Sequence, residues 1–289
     1  MLRILALPLL ASALAAVACG AVGTFCVVRR NTYAAGALSH ACFAGLGLAQ
    51  WLAVAHGCAW ATPTLGALAA AVAAAFFLAL SPVARGARAD GALSALWAVG
   101  MAVGLAFLSA TPGYQGSLVD YLFGSILFVS RADLVRMAAF DAALLATMML
   151  FWRGLVGVAF NERLAALRGA PVRLHACALS LATALAVVVL VRAVGIVLCV
   201  ALLALPALAA RPLARRLGPM MLLSGLFAFV SLAAGLLLAW RIDCQPSAPA
   251  VLVAALLAAA IRSRKALLPR RAPPPSPSHA EPHPPATAG

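Results

Sequence analysis

The chain has 289 residues, of which 65% are hydrophobic and 10% are charged, and its mean hydropathy is +1.05. A soluble domain of this length could not bury so much apolar surface, so the composition excludes an ordinary soluble protein. The formal net charge of +14 would suggest nucleic-acid binding in a soluble protein, but here the arginines lie at the ends of apolar segments. We therefore predict an integral membrane protein that binds membrane lipid and no nucleic acid.

Apolar segments of about 20 residues recur along the chain, and each could cross a hydrocarbon core of ~30 Å as a helix. The alternating apolar and polar pattern of a membrane barrel does not occur in the sequence. These segments predict an all-α polytopic bundle of eight or nine transmembrane spans. The expected spans are 1–28, 33–55, 61–84, 91–110, 134–152, two within 174–210, 217–240 and 248–261.

Several positions between or within these spans carry further signals. Segment 117–130 is apolar but short, which predicts an interfacial or re-entrant piece. Gly100 and Gly104 form a GxxxG pattern that allows another helix to approach closely. In 174–210 we expect two spans to meet near Arg192, or to merge into one, and Pro206 to disturb the second.

The most polar internal loop lies between residues 158 and 173. Within it, residues 161–169 predict a short amphipathic helix that ends at a capping glycine, Gly169. The chain beyond residue 270 is rich in proline and has the composition of a disordered segment. We therefore divide the chain into a membrane domain, 1–265, and a disordered tail, 266–289.

Lysines and arginines indicate the orientation. Most of the 21 basic residues follow the first, third, fifth, seventh and last spans, and such residues are enriched on the cytoplasmic side of membranes. With nine spans, the N-terminus lies outside and the C-terminus lies in the cytoplasm.

Seven cysteines, an odd number without a CxxC pair, are mostly inside spans and are expected to be small apolar fillers. Cys58 and Cys244 fall near span ends on the outer side. A disulfide between them requires Cα atoms within about 7 Å, and two unrelated free thiols are the favoured interpretation.

The sequence carries no Ser/His/Asp set, no Walker glycine loop and no carboxylate pair at helical spacing, so we expect neither an enzyme nor a stably bound cofactor. Only seven acidic residues occur. Asp120, Asp133 and Asp243 lie on the predicted outer side, where they could attract cations, although ordinary span-end charges are the favoured interpretation.

His40 stands alone about two turns into the second span. An ionisable group at that depth costs free energy unless it has a partner or borders a wet cavity, so His40 is a candidate functional residue. The alternative is a neutral imidazole that is hydrogen-bonded to a neighbouring helix.

Three motifs follow one another at a consistent spacing: Ala37-Leu38-Ser39-His40-Ala41, Tyr121-Leu122-Phe123-Gly124-Ser125-Ile126-Leu127, and Ala201–Arg211 with its central proline. With these motifs, residues 8–262 resemble the permease subunit of the bacterial zinc/manganese/iron ABC importers. The resemblance implies a homodimer in the bacterial inner membrane, with a cytoplasmic ATPase and an extracytoplasmic metal-binding protein as partners. It also implies a divalent metal ion, zinc or manganese, as the transported substrate.

The resemblance further implies roles for individual residues. His40 would line the metal path. The family has an aspartate four residues before this histidine and another in the second motif, whereas this chain has Gly36 and Ser125. Because residues i and i+4 share a helix face, we expect Gly36→Asp to restore a ligand pair and to strengthen divalent-metal binding without needing another ligand to move. The ATPase would dock on the amphipathic helix, at Phe160, Asn161, Glu162, Leu164, Ala165, Ala166 and Gly169.

Two other functional classes stay open at this point. An ion-coupled secondary transporter would need ionisable groups in mid-span to bind the coupling ion, and His40 and Arg192 are poorly suited to that role. A non-transporting membrane scaffold would account for the two missing carboxylates.

Overall fold

The computed structural model describes residues 2–81, 89–113, 124 and 126–267, and these residues form helices and no strand. The all-α prediction is confirmed. The helices are α1 (Leu2–Ala18), α2 (Thr24–Val28), α3 (Thr32–Ala55), α4 (Pro63–Leu80), α5 (Ala89–Ser109), α6 (Arg131–Leu150), α7 (Trp152–Phe160), α8 (Glu162–Leu167), α9 (Val172–Ala210), α10 (Leu217–Ile242) and α11 (Ser247–Leu267).

The number of possible spans agrees with the sequence. Within the described ranges, eight helical segments are long and apolar enough to cross a membrane, and a ninth is counted if α6 and α7 together form one bent span. The two helices bend by 75° at their junction, Phe151. The prediction of eight or nine spans is therefore confirmed, whereas the bend was not predicted.

The first span is not a continuous α-helix, because a π-helical turn, Cys19–Gly23, separates α1 from α2. All five residues of this turn are buried. A Cβ atom at Gly20 would lie 2.6 Å from the Met221 carbonyl oxygen, and one at Gly23 would lie 2.5 Å from that of Leu203. The turn therefore brings the backbone of the first span directly against α9 and α10.

Helix α9 contains two spans, Val172–Val191 and Ala193–Ala210. The helical backbone is broken near their junction, at Gly195, whose φ of 82° and ψ of 171° are not helical. The sequence placed this junction near Arg192, three residues away, and that prediction is confirmed. The expected disturbance at Pro206 is wrong, because the helix continues through it to Ala210. A proline in a membrane helix is tolerated where neighbouring helices satisfy the freed backbone groups.

Helix α3 packs between α4 and α5 and also contacts α9. Its approach to α5 depends on the predicted GxxxG pair. A Cβ atom at Gly100 would lie 2.7 Å from the His40 carbonyl group, and one at Gly104 would lie 2.8 Å from the Phe43 carbonyl oxygen. The expectation of a close helix approach at this motif is confirmed.

The predicted re-entrant segment, 117–130, lies mostly outside the described residues, as does Ser125. Its described part comprises Gly124 and a 3₁₀ turn, Ile126–Phe128. Gly124 has a φ of 70°, and a Cβ atom there would lie 2.8 Å from the Val194 Cα. This backbone therefore fits against the break in α9. The proposed tail also lies outside the described residues, except that α11 continues to Leu267.

Cys58 and Cys244 are free thiols. The Cys58 Sγ donates to the His56 carbonyl oxygen at 3.9 Å, and the Cys244 Sγ donates to that of Gln245 at 3.8 Å. Each thiol thus has a local partner, in agreement with the favoured interpretation of two unrelated cysteines.

Candidate functional site

His40 lies in the seam between α3 and α5, where its side chain is only 6% exposed. Its Nδ1 atom is buried and has no hydrogen-bond partner within the described part of the chain. The alternative of a histidine held by a hydrogen bond to a neighbouring helix therefore finds no support at this atom. A buried imidazole nitrogen without a partner retains its capacity to donate or to bind, depending on its tautomer.

The His40 ring belongs to an aromatic stack that consists of Tyr33, Trp97 and His40. The Trp97 ring lies 4.6 Å from the His40 ring at an angle of 27°, and 5.2 Å from the Tyr33 ring at 26°. The Tyr33 hydroxyl lies 3.2 Å from the Ser94 Oγ. The Trp97 indole therefore lies between the His40 imidazole and the Tyr33 phenol, and these two rings restrict the orientation of the indole.

Gly36 lies one turn before His40 on the same face of α3. A Cβ atom at Gly36 would lie 2.7 Å from Cη2 and 3.0 Å from Cε3 of Trp97, and closer still to Cζ3. Gly36→Asp would therefore require the Trp97 indole, which is not a predicted ligand, to move, and the expected gain in metal binding stays a prediction. The indole of Trp97 occupies the space that a side chain at position 36 would enter.

The other polar side chains near this part of α3 face away from His40. The Ser39 hydroxyl donates to the Ala35 carbonyl oxygen at 2.8 Å and lies 3.4 Å from the Cys199 Sγ on α9. Among the described residues, no group of three or more His, Cys, Asp or Glu side chains could hold a metal ion. In the described part of the chain, His40 is thus not a member of a metal-binding cluster of three or more such side chains.

The acidic residues predicted on the outer side act as helix caps where the structure describes them. Asp133 forms a capping box with Ser130 and an ion pair of 3.0 Å with Arg136. Asp243 is the C-cap of α10, with a φ of 50°. Asp120 lies outside the described residues. Asp133 and Asp243 therefore match the favoured interpretation of ordinary span-end charges.

The predicted amphipathic helix is α8; its end is capped by a glycine as expected, and its start is also capped. At its start, the Asn161 Oδ1 accepts a hydrogen bond of 3.0 Å from the Leu164 backbone N–H. At its end, Gly169 has a φ of 77°, and the Ala170 N–H donates to the Ala165 carbonyl oxygen at 3.1 Å. This is a Schellman motif, which requires the left-handed conformation that glycine adopts most easily.

The faces of α8 differ in exposure. Ala165 is 8% exposed and anchors the helix to the body, whereas Phe160, the last residue of α7, is 66% exposed. Leu164 and Ala166 are also exposed. Leu167 is 85% exposed. It was not among the docking residues predicted from the sequence, although it follows Leu164 by three residues and therefore lies on the same helix face. Leu164 and Leu167 of α8 and Phe160 at the end of α7 are thus three exposed large apolar side chains of this loop, and we call them together the α8 apolar face.

Glu162 connects α8 to the end of the first span through a contact of 3.4 Å with the guanidinium of Arg29. Beside this ion pair a cavity of about 440 Å³ opens, which Asn31, Asp90 and Thr183 also line. Leu38 reaches this cavity, but His40 lies on the opposite side of α3, against α5. The cavity and the aromatic stack are therefore separate features.

The architecture by itself defines a multi-pass α-helical membrane protein with a capped helix between two of its spans. Residues 1–263 match the family described as the ABC 3 transport family. The chain therefore belongs to that family, and the resemblance inferred from the three motifs is confirmed.

Individual relatives cover most of the chain. The manganese transport system membrane protein MntC of Halalkalibacterium halodurans is 32% identical over 251 residues, which are 86% of this chain and 83% of that protein. An uncharacterized membrane protein of Synechocystis is also 32% identical, over 86% of each chain. Among solved structures, PsaBC from Streptococcus pneumoniae in complex with Fab is similar with a TM-score of 0.77 and 26% identity, over 90% of this chain and 91% of that chain.

Proposed function

We propose that this chain is the permease subunit of an ATP-driven importer for divalent metal ions, zinc or manganese, in the bacterial inner membrane. The observation that carries the proposal is His40, a nearly buried imidazole with an unpartnered Nδ1 in a membrane-spanning helix. Similarity to a protein named as part of a manganese transport system supports the choice of cargo. The metal ion is the transported substrate and no cofactor stays bound.

The energy for transport comes from a separate ATPase subunit, because the sequence carries no Walker glycine loop. We place its docking surface on the α8 apolar face, where Leu167 projects from a helix that is capped at both ends and Phe160 projects from the end of α7. The excess of arginine near the same loop supports a cytoplasmic position for this surface and for the C-terminus. An extracytoplasmic metal-binding protein delivers the ion at the opposite end, and two copies of the chain pair in the membrane.

Neutral imidazole is a ligand for borderline metals such as Zn²⁺, and one nitrogen suits a site that must release its ion again. The Nδ1 atom of His40 also has no hydrogen-bond partner, among the residues that the structure describes, that its removal would leave unsatisfied. Stranding such a partner would cost about 1–3 kcal/mol. Loss of the imidazole should therefore affect transport far more than folding.

The test is uptake of radioactive zinc and manganese by membranes that contain the full importer, for wild type, His40→Ala and His56→Ala. His56 is the matched control, because it is exposed at the far end of the same helix. We expect His40→Ala to lower uptake by about tenfold or more at unchanged membrane abundance. Unchanged uptake at normal abundance would reject the role of His40, and uptake that persists without the ATPase would indicate an ion-coupled transporter instead.

A further inference from the structure

The space beside His40 is filled by an aromatic ring from another helix. Position 36 is one turn before His40, so a second ligand on α3 would have to come from there. Gly36 supplies no side chain, and the Trp97 indole lies within 3.0 Å of the place that its Cβ would take. Gly36 and Trp97 are therefore complementary in shape, and neither can be exchanged for a larger group alone.

We propose that Trp97 is the positioning residue for the His40 imidazole, and that the Gly36–Trp97 pair sets the metal preference of the site towards zinc over manganese. This inference rests on the proposed function, because it assigns a preference among the cargo ions. It adds a residue on α5 to a site that the sequence placed on α3 alone.

The geometry supports positioning in two ways. The indole and imidazole planes are within 27° of parallel at a centroid distance of 4.6 Å, so a rotation of the His40 ring would break the stack. One turn further along α5, Gly100 approaches the His40 backbone so closely that a Cβ there would be 2.7 Å away. The histidine is thus held at its ring by Trp97 and at its backbone by Gly100.

The chemistry of the filled space determines the preference. Carboxylate oxygens suit Mn²⁺, whereas imidazole suits Zn²⁺. With the indole beside Gly36, a cation that reaches His40 meets an imidazole that has an aromatic ring, and no carboxylate, beside the preceding turn of α3. No carboxylate oxygen from the preceding turn of α3 can enter, so the arrangement withholds the ligand that manganese prefers.

The first experiment compares the ratio of zinc uptake to manganese uptake at equal concentration in membranes that contain the complete importer. The variants are Trp97→Ala, Trp97→Phe and the double variant Gly36→Asp/Trp97→Ala. We expect Trp97→Phe to keep the wild-type ratio, because it keeps a ring. The double variant should lower the ratio by about tenfold, because it has both a carboxylate and the room to hold it.

The second experiment measures ring positioning without transport. Diethyl pyrocarbonate modifies imidazole nitrogens, and peptide mass spectrometry separates His40 from His56. Trp97→Ala should raise the modification rate of His40 by about fivefold, which corresponds to the loss of one aromatic contact. The matched control is Trp51→Ala, since Trp51 contacts His56 with ring centroids 4.5 Å apart; it should leave the rate at His40 unchanged.

A third measurement keeps the inference falsifiable if a single variant does not fold. Gly36→Asp alone should lower membrane abundance, and adding Trp97→Ala should restore it, because the two residues compete for one space. An unchanged uptake ratio in the double variant at normal abundance would overturn the assigned preference. An unchanged modification rate at His40 in Trp97→Ala would overturn the positioning role. Absence of uptake by the wild type would instead refute the proposed function, and the modification rates would still decide the role of Trp97.

Discussion

Leu167 is the residue of α8 whose truncation tests the docking surface most directly. Its side chain is 85% exposed, so it contributes almost nothing to the stability of the isolated chain. Alanine is a better helix former than leucine, so Leu167→Ala does not weaken α8 itself. Any loss that follows this substitution must therefore come from a partner that covers the side chain.

The expected magnitude follows from the exposed area. Leu167→Ala removes three carbon atoms, and burial of each contributes about 0.8 kcal/mol. Scaled by the exposed fraction of 85%, the loss on binding is about 2 kcal/mol, or about a 30-fold increase in the Kd for the ATPase.

The assay is the Kd between purified permease in lipid nanodiscs and the ATPase subunit, measured beside the thermal stability of each variant. Leu256→Ala is the matched control, because Leu256 is 69% exposed but lies within the last span, away from α8. We expect the Leu256 variant to bind like wild type. A Kd for Leu167→Ala within twofold of that control would refute the reasoning and place the docking surface elsewhere.

Two further predictions concern the fold. Gly195→Ala should destabilise the protein by about 1–3 kcal/mol, since the φ of 82° and ψ of 171° at Gly195 are accessible almost only to glycine. The Tm of this variant should fall well below that of the control Gly218→Ala, where a Cβ meets nothing within 4 Å. Equal Tm values for the two variants would contradict the prediction. Cys58 and Cys244 should both react with a membrane-impermeant maleimide from the outer side in protein purified without reductant, since both are free thiols. Protection of both, relieved by reductant, would show the disulfide that the structure lacks.

The spans were predictable because length and hydropathy determine them. The second span was expected at 33–55 and begins at Thr32, and the eighth was expected at 217–240 and ends at Ile242. A helix that must cross about 30 Å of hydrocarbon leaves a long apolar segment in any sequence. The caps of α8 were predictable for a similar reason, because Asn161 and Gly169 act on backbone groups only a few residues away.

The bend between α6 and α7 was not predictable in this way. The sequence predicted the end of a span at 152, beside Arg153, but a span end does not indicate a helix that continues after a 75° change of direction. The structure shows a contact that accompanies it: a Cβ at Gly154 would collide with the His175 ring, so the approach of α7 to the beginning of α9 requires a glycine at this position. That contact joins residues 21 positions apart in sequence and leaves no periodic pattern.

The space beside His40 is likewise filled by a contact between residues far apart in sequence, and this contact affects the candidate site. Comparison of the His40 motif with the family pattern considers residue types along one helix only. In that comparison Gly36 is a missing ligand. The structure shows an occupied position, because Trp97 comes from α5, 61 positions further along the chain, and fills the room. A signal for this did exist: Trp97 precedes Gly100 by three residues and Gly104 by seven, so all three lie on one face of α5. A GxxxG pair that brings two helices together also brings the next large residue on that face into contact with the other helix. The effect of a substitution such as Gly36→Asp therefore depends on that residue, here Trp97.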